Sequence, residues 1–208
     1  MRIGIIGTGR IGGTLARHFV RLGHEVAVSN SRGPETLADF VAELGSTAHA
    51  TTAAEAAAFG DLVVVSVPFG RYTELPTDGL DGKVVIDTNN YYPNRDGHFA
   101  DLDDGRTTSS EMLQAHIPNA RVVKAFNGIN WEHLRDYGRP AIDPDRIGIP
   151  ISGDDPQAKR VVGDLIDAIG FDPVDAGMLA AGGRKHQPGT PPYGADLKTP
   201  ELRARLGG

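Results

Sequence analysis

The sequence predicts an α/β fold with a doubly wound, mostly parallel sheet and a short C-terminal extension. Short apolar segments alternate along the 208 residues with segments of helical periodicity, a pattern typical of consecutive β-α-β units. The segment 62–67 is almost entirely apolar, as expected of a strand that is buried on both faces. Many of the 27 glycines stand where a predicted element ends. Together these features favour a layered fold with helices on both sides of the sheet.

The N-terminal half contains five predicted strands, at 2–6, 25–29, 46–50, 62–67 and 83–87. Apolar residues at helical spacing predict a helix over 11–22. A second helix begins at Pro34, a residue that suits the first helical position, and ends at Gly45. Thr52 and Glu55 have the spacing of a capping box and predict a third helix that ends at Gly60.

The C-terminal half contains three more predicted strands, at 121–126, 147–152 and 171–175. Helices are expected at 131–137, 156–169 and 200–206, and a second capping box, Thr108 with Glu111, predicts another that ends before Pro118. Pro150 cannot donate to a strand ladder, so strand 147–152 is expected at an edge of the sheet. The segment 182–194 is rich in proline and glycine and is predicted to be irregular.

These elements predict one domain over residues 1–208, with a core of about 1–150 and an extension of about 151–208. About sixty residues are too few for a large independent substrate domain. Within the extension, the loop at 187–191 is expected either to line a second-ligand pocket or to form a subunit contact.

The composition excludes several classes of function. The chain has no cysteine, which excludes disulfides, thiolate nucleophiles and cysteine-ligated metal clusters. The formal net charge of −6 argues against a nucleic-acid partner. No stretch of about 18 apolar residues predicts a membrane span, and residues 1–7 lack a signal-peptide pattern, so we expect a cytoplasmic protein. The histidines show no metal-ligand spacing, and we predict no metal site.

A glycine-rich turn follows the first predicted strand and opens the first predicted helix. It reads Gly7-Thr8-Gly9-Arg10-Ile11-Gly12 and matches the G-x-G-x-x-G pattern in the required context. Gly7 permits a tight turn, Gly9 lets a pyrophosphate approach the backbone, and Gly12 lets the helix pack closely on the strand. The free N–H groups at the helix N-terminus favour phosphate binding. The turn predicts a Rossmann fold that binds a dinucleotide.

The end of the second strand indicates which dinucleotide binds. NAD-binding domains usually carry a carboxylate there, which holds the ribose hydroxyls. This chain has Asn30, Ser31 and Arg32 instead. A guanidinium and a hydroxyl suit a 2′-phosphate, so we predict NADP(H).

Ligands of open α/β sheets lie beyond the carboxyl ends of the strands, which here supply further candidates. These are Ser66, Val67, Pro68 and Arg71, then Thr88, Asn89 and Asn90, and then Ala125, Phe126 and Asn127. Val67 and Pro68 are expected beside the cofactor ribose and nicotinamide, and Ala125 offers a small surface for the nicotinamide ring. Trp131 and Tyr193 are interpreted as packing residues.

The combination of these motifs resembles a known family. Besides the turn at 7–12 and the segment 30–32, it includes Val67-Pro68, the segment 122–127, the segment 152–155 and the segment 175–177. The chain resembles, over nearly its whole length, the NADP oxidoreductases dependent on coenzyme F420, an 8-hydroxy-5-deazaflavin. The same fold occurs in the cytoplasmic domains of a group of membrane metalloreductases.

The resemblance implies a role for each matching residue. It implies that Thr8, Gly9, Arg10 and Ile11 contact the pyrophosphate and that Ser31 and Arg32 bind the 2′-phosphate. It places Val67, Pro68, Arg71 and Ala125 along the ribose and nicotinamide. It also implies a homodimer formed through the C-terminal region, where the apolar run Met178–Ala181 fits such a role. Thr36 stands where some members carry a further basic residue. The segment after the sixth strand and the C-terminal tail also differ from those of the well-known reductases of the family.

The predicted function is hydride transfer between NADP(H) and a small-molecule redox partner, the deazaflavin. We predict no catalytic residue, because the cofactors themselves carry this chemistry. One alternative is an NADPH-dependent reductase of a small carbonyl or imine, although such enzymes usually add a large helical domain and a catalytic lysine. The other is a non-catalytic NADP(H)-binding sensor or a reductase subunit.

Overall fold

Eight strands form one sheet in this computed structural model, which describes residues 1–207. The strands are β1 (Arg2–Ile6), β2 (Glu25–Ser29), β3 (Ala48–Ala50), β4 (Leu62–Val65), β5 (Val84–Asp87), β6 (Arg121–Lys124), β7 (Gly148–Gly153) and β8 (Asp172–Gly177). Their order is β3-β2-β1-β4-β5-β6-β7-β8. The first six pair in parallel, β7 runs antiparallel to β6, and β8 runs parallel to β7. The chain order reverses between β1 and β4, which confirms a doubly wound sheet with an extension.

Helices cover both faces of this sheet. They are α1 (Arg10–Arg21), α2 (Ala38–Leu44), α3 (Ala53–Phe59), α4 (Pro93–Asp96), α5 (Ala100–Asp103), α6 (Ser109–His116), α7 (Trp131–Asp136), α8 (Pro156–Ala168), α9 (Leu179–Gly183) and α10 (Thr199–Leu206). Two 3₁₀ turns, Pro34–Leu37 and Phe69–Glu74, precede α2 and follow β4. Both capping boxes are present, because Thr52 and Thr108 each accept the backbone N–H of the glutamate three residues later.

Two apolar layers lie against the sheet because the central strands are apolar on both faces. Ile3 and Ile5 of β1 pack with Leu15 and Phe19 of α1 on one side. Val63 and Val65 of β4 belong to a second cluster on the other side. Successive strand residues point to opposite faces, so an uninterrupted apolar run supplies both layers.

The structure corrects the expected position of strand 147–152. Strand β7 is not an edge strand, since β6 and β8 flank it. Pro150 is tolerated because the β6 ladder reaches only Ser152 and Gly153, and so leaves Pro150 without a ladder partner on that side. The outermost strand is β8.

The segment after β8 is more ordered than the sequence indicates. Residues 182 and 183, expected to be irregular, form the end of α9. Leu179, part of the apolar run assigned to a subunit contact, is buried, whereas Met178 is 64% exposed. The 3₁₀ turn at Phe69–Glu74 and the four-residue helices α4 and α5 also escaped prediction, because such short elements have no helical periodicity.

No helix within residues 1–207 is long and apolar enough to cross a lipid bilayer.

Candidate functional site

The turn between β1 and α1 has the geometry expected of a phosphate-binding loop. Gly7 has a φ of +101°, and a Cβ atom there would lie 2.1 Å from the carbonyl oxygen of Ser66. A Cβ atom at Gly12 would lie 2.0 Å from the carbonyl oxygen of Gly7. Both positions therefore require glycine. A Cβ atom at Gly9 would meet no atom of residues 1–207 within 4 Å, so this backbone borders open space.

The N-terminus of α1 is prepared for an anion. Gly9 is its N-cap residue and provides no side-chain cap, and the first turn carries no acidic residue. The first N–H groups of a helix have no partner within the helix, and the helix dipole favours negative charge there. The residues present therefore fit a dinucleotide pyrophosphate.

A first cleft of about 390 Å³ lies beside this turn. Its lining contains most of the residues proposed from the sequence: Gly7, Thr8, Gly9, Asn30, Ser31, Arg32, Ser66, Val67, Pro68 and Arg71. Ala53, Glu74 and Leu75 also line it and were not identified from the sequence. These three belong to α3 and to the segment after β4, whose approach to the turn depends on packing.

The loop after β2 holds a guanidinium at the first cleft. The side-chain Oδ1 of Asn30 accepts the backbone N–H of Arg32 at 2.8 Å. The Nδ2 group of Asn30 donates to the hydroxyl of Thr36 at 2.9 Å, so Thr36 supports the loop. Ser31 and Arg32 are exposed, and no carboxylate stands at positions 30–32. This arrangement fits a 2′-phosphate.

Arg71 borders only one of the two clefts. It lines the first cleft together with Ser31 and Arg32, and not the second cleft described below. Its guanidinium pairs with Glu74 at 2.5 Å. Hydrogen bonding from Arg71 lowers the pKa of the Glu74 carboxyl.

A second cleft of about 570 Å³ opens on the other side of the turn. The two clefts share Gly9, Ser66, Val67 and Pro68. The other lining residues of the second cleft are Arg10, Ile11, Thr88, Asn89, Asn90, Tyr92, Arg95, Asn127, Ile129, Asn130, Trp131 and Tyr193. One elongated ligand and a second molecule can thus meet at the shared residues.

Two aromatic residues have a different place from that assigned by the sequence interpretation. The sequence predicts packing roles for Trp131 and Tyr193, yet both line the second cleft. Arg10 lies over the Trp131 ring, with its guanidinium carbon 5.6 Å from the ring centroid. Both aromatic residues are far along the chain from the glycine turn, so no local sequence pattern indicates that they lie near it.

Ala125 does not reach either cleft. It is fully buried within the apolar layer that contains Val123 and Phe126. Its backbone N–H donates to the carbonyl of Asp87 at 3.0 Å and continues the sheet beyond β6. The small surface predicted there for a nicotinamide ring is therefore wrong, and Asn127 is the first residue after β6 that lines the second cleft.

A chain of polar side chains leads from the second cleft into the protein. Asn90 donates to the carbonyl of Asn127 at 2.7 Å and to the hydroxyl of Tyr193 at 3.3 Å. The Nδ2 group of Asn127 donates to the carbonyl of His186 at 2.8 Å. The Tyr193 hydroxyl also bonds to that of Tyr92. Burial and, to a smaller extent, the hydrogen bond to Tyr92 raise the pKa of Tyr193, so this phenol keeps its proton.

The inner end of this chain is a serine–histidine–asparagine arrangement. Nε2 of His186 lies 2.5 Å from the Ser152 hydroxyl, and Nδ1 lies 2.9 Å from Oδ1 of Asn127. Burial lowers the pKa of His186 to about 3. Ser152 and His186 are completely buried, so no substrate can reach the hydroxyl. The arrangement supports the cleft and does not supply a nucleophile.

Within residues 1–207, no group of three or more histidine, aspartate or glutamate side chains could hold a metal ion.

Comparison with known proteins assigns the family. Residues 2–91 match the family described as NADP oxidoreductase, coenzyme F420-dependent. Residues 2–91 of the chain belong to this family. A structure of a proposed F420-dependent NADP reductase from Arthrobacter sp. FB24 is 29% identical, with a TM-score of 0.74, and covers 100% of this chain and 95% of its own. Both the matched family and this neighbour are described as NADP oxidoreductases or reductases.

Two further relatives extend the comparison. A protein of unassigned function from Sinorhizobium meliloti is 32% identical, with a TM-score of 0.81 and coverage of 96% of both chains. The metalloreductase STEAP3 of Rattus norvegicus is 32% identical over 186 residues, which are 86% of this chain. The match takes in 34% of the rat protein, so this chain spans about a third of its length.

Proposed function

We propose that this oxidoreductase transfers hydride between NADP(H) and the deazaflavin coenzyme F420. The observation that carries the proposal is the chemistry of the second cleft. Its lining contains amides, hydroxyls, aromatic rings and two arginines, but no aspartate, glutamate, histidine or lysine. Hydride transfer between a nicotinamide and a deazaflavin requires little acid–base chemistry from the protein, because both rings delocalise charge.

The residues of the first cleft, together with the backbone of Arg10 and Ile11 at the turn, are proposed to hold NADP(H). Backbone N–H groups at Gly9, Arg10 and Ile11 would bind the pyrophosphate, while Ser31 and Arg32 would bind the 2′-phosphate. When bound, NADPH supplies the hydride. The protein's contribution is to orient two rings against each other where the clefts meet and to keep water out.

A second candidate is the reduction of a small carbonyl or imine. One observation favours it: the Tyr193 hydroxyl lines the second cleft, where it could donate a hydrogen bond to a developing negative charge. The similarity to STEAP3 suggests a further possibility, a reductase unit that passes electrons to a partner. In both cases NADPH would bind and the deazaflavin would not react.

The test is a spectroscopic assay with oxidised coenzyme F420. The protein is mixed with the coenzyme and either NADPH or NADH, and loss of deazaflavin absorbance is followed. Rapid loss with NADPH and slow loss with NADH is expected. NADPH binding without loss of deazaflavin absorbance would overturn the proposal and direct the search to carbonyls, imines or a partner protein.

The homodimer implied by the family resemblance is also a proposal. Met178, between β8 and α9, is 64% exposed and would lie in the subunit contact. We expect a dimer by light scattering and a monomer after Met178→Glu. Ile142→Glu is the matched control, because Ile142 is 94% exposed and lies in the loop before β7. A monomeric unmodified protein, or equal effects of both changes, would contradict this assignment.

A further inference from the structure

Asn89, at the carboxyl end of β5, is fixed by three hydrogen bonds. Its backbone N–H donates to Oδ1 of Asp87 at 2.9 Å. Its carbonyl accepts a hydrogen bond from Nζ of Lys124 at 3.0 Å. Its side-chain Oδ1 accepts the backbone N–H of Val67 at 2.9 Å. Both the backbone and the side chain are thus held in place.

The remaining polar group of Asn89 has no partner. Nδ2 is buried and makes no hydrogen bond with any of residues 1–207. The residue is only 4% exposed, yet it lines the second cleft. The amide cannot be reversed, because Oδ1 is required by the N–H of Val67. A buried N–H group without an acceptor is unfavourable, and native proteins rarely leave one so.

A buried charged cluster supports this geometry from behind. Lys124 and Asp87 are almost completely buried. Nζ of Lys124 donates to the hydroxyl of Ser110 at 3.0 Å, and that hydroxyl donates to Oδ2 of Asp87 at 2.6 Å. Burial lowers the pKa of Lys124. Burying such charges costs desolvation free energy. In return, Lys124 and Asp87 both hydrogen-bond to the backbone of Asn89 and hold it in place.

We propose that Nδ2 of Asn89 is a ligand-binding donor that recognises a carbonyl oxygen on a ring in the second cleft. An N–H donor requires an acceptor, and an amide-type carbonyl occurs on both rings expected there. The oxygen belongs either to the nicotinamide carboxamide or to the ring carbonyl of the deazaflavin. The second possibility rests on the proposed function, whereas the first requires only NADP(H) binding. Asn89 is in either case a specificity-determining residue.

The decisive variant is Asn89→Asp, which keeps an oxygen for the N–H of Val67 and removes the donor. Asn119→Asp is the matched control, because Asn119 is exposed and precedes β6 at the opposite end of the sheet. Dissociation constants are measured for NADPH and for 2′-phospho-ADP-ribose, which lacks the nicotinamide, together with the KM for coenzyme F420.

Two results would support the proposal. NADPH binding weakens about tenfold with 2′-phospho-ADP-ribose unaffected, or the KM for the deazaflavin rises about tenfold with NADPH binding unaffected. Equal weakening of NADPH and 2′-phospho-ADP-ribose binding indicates a structural role and overturns the proposal. So does a variant in which neither the NADPH affinity nor the KM for the deazaflavin changes. If the unmodified protein does not turn over the deazaflavin, the proposed function fails, and the NADPH comparison alone decides the role of Asn89.

A measurement on the unmodified protein covers the case in which the variant does not fold. In protein labelled with ¹⁵N at asparagine, the side-chain amide of Asn89 is followed by NMR. A downfield shift of its proton resonance with NADPH or with the deazaflavin, absent with 2′-phospho-ADP-ribose, is expected. The absence of any ligand-specific shift would overturn the proposal.

Discussion

Alanine substitutions at Gly9 and Gly13 should separate ligand binding from helix stability, because neither Cβ atom clashes with the protein. A Cβ atom at Gly13, inside α1, would lie 3.5 Å from the carbonyl oxygen of Thr8 and 3.6 Å from the ring of Phe40. Both distances are ordinary van der Waals contacts. At Gly9 the added atom would meet nothing within 4 Å, and the backbone φ of −70° is accessible to alanine.

The magnitudes follow from the position of each glycine. In a helix interior, alanine is favoured over glycine by about 1 kcal/mol, so Gly13→Ala should raise the melting temperature by about 2–4 °C. Gly9→Ala places a methyl group where the pyrophosphate is expected. A clash there of about 1–3 kcal/mol corresponds to a loss of NADPH affinity of about 5- to 150-fold.

The assay combines thermal unfolding with NADPH titration for both variants. We expect Gly9→Ala to fold with nearly unchanged stability and to bind NADPH poorly, whereas Gly13→Ala becomes more stable and binds normally. Normal NADPH binding by Gly9→Ala would refute the assignment of this backbone to the phosphate site. Destabilisation by Gly13→Ala would refute the packing geometry of α1.

Three further predictions concern cofactor choice, the glycine turn and acid stability. Arg32→Ser should weaken NADPH binding about tenfold or more and leave NADH binding unchanged, because it removes a charge-assisted hydrogen bond to the 2′-phosphate. Arg21→Ser, at an exposed position, is the control. An equal loss of affinity for both cofactors would contradict the role assigned to Arg32. Gly12→Ala should lower stability by about 1–3 kcal/mol, because its Cβ atom would lie 2.0 Å from a carbonyl oxygen; an unchanged melting temperature would contradict the close packing. Burial lowers the pKa of His186 from 6.5 to about 3 in the folded protein, so the unfolded chain binds the proton first as the pH falls. The contribution of neutral His186 to the free energy of unfolding is therefore fully present above pH 6.5. It is lost between pH 6.5 and about 3, at about 1.4 kcal/mol per pH unit. His186→Asn should remove this slope in acid unfolding, and an unaltered slope would show that another group is responsible.

The sequence was sufficient for the parts of the site that depend on local geometry. Within this β-α unit, Gly7 requires glycine because of its positive φ, and Gly12 requires it because the Gly7 carbonyl oxygen lies so close. Both requirements are visible in the spacing. The absence of a carboxylate after β2 was equally visible, and the structure places Ser31 and Arg32 beside the turn. Both signals lie within about 35 residues of chain.

The second cleft could not be derived in this way. Tyr193 and Tyr92 are 101 positions apart, and no local pattern predicts that their hydroxyls meet. Asn89-Asn90 has the composition of an ordinary turn, and only the three-dimensional arrangement shows one amide held with a free N–H. The error at Ala125 has the same origin, because the side of the sheet that a residue faces after β6 depends on how the strand continues.

What the sequence determined by itself was the alternation of strands and helices, the two capping boxes and the phosphate turn. These depend on the conformational preferences of a few neighbouring residues. The tertiary structure alone decided the antiparallel insertion of β7 beside β6, the burial of Lys124 and His186, and the convergence of Asn89, Tyr92, Trp131 and Tyr193 on one cleft. The physical reason is that burial and hydrogen-bond satisfaction depend on which distant segments pack together, and local propensity carries no information about that choice.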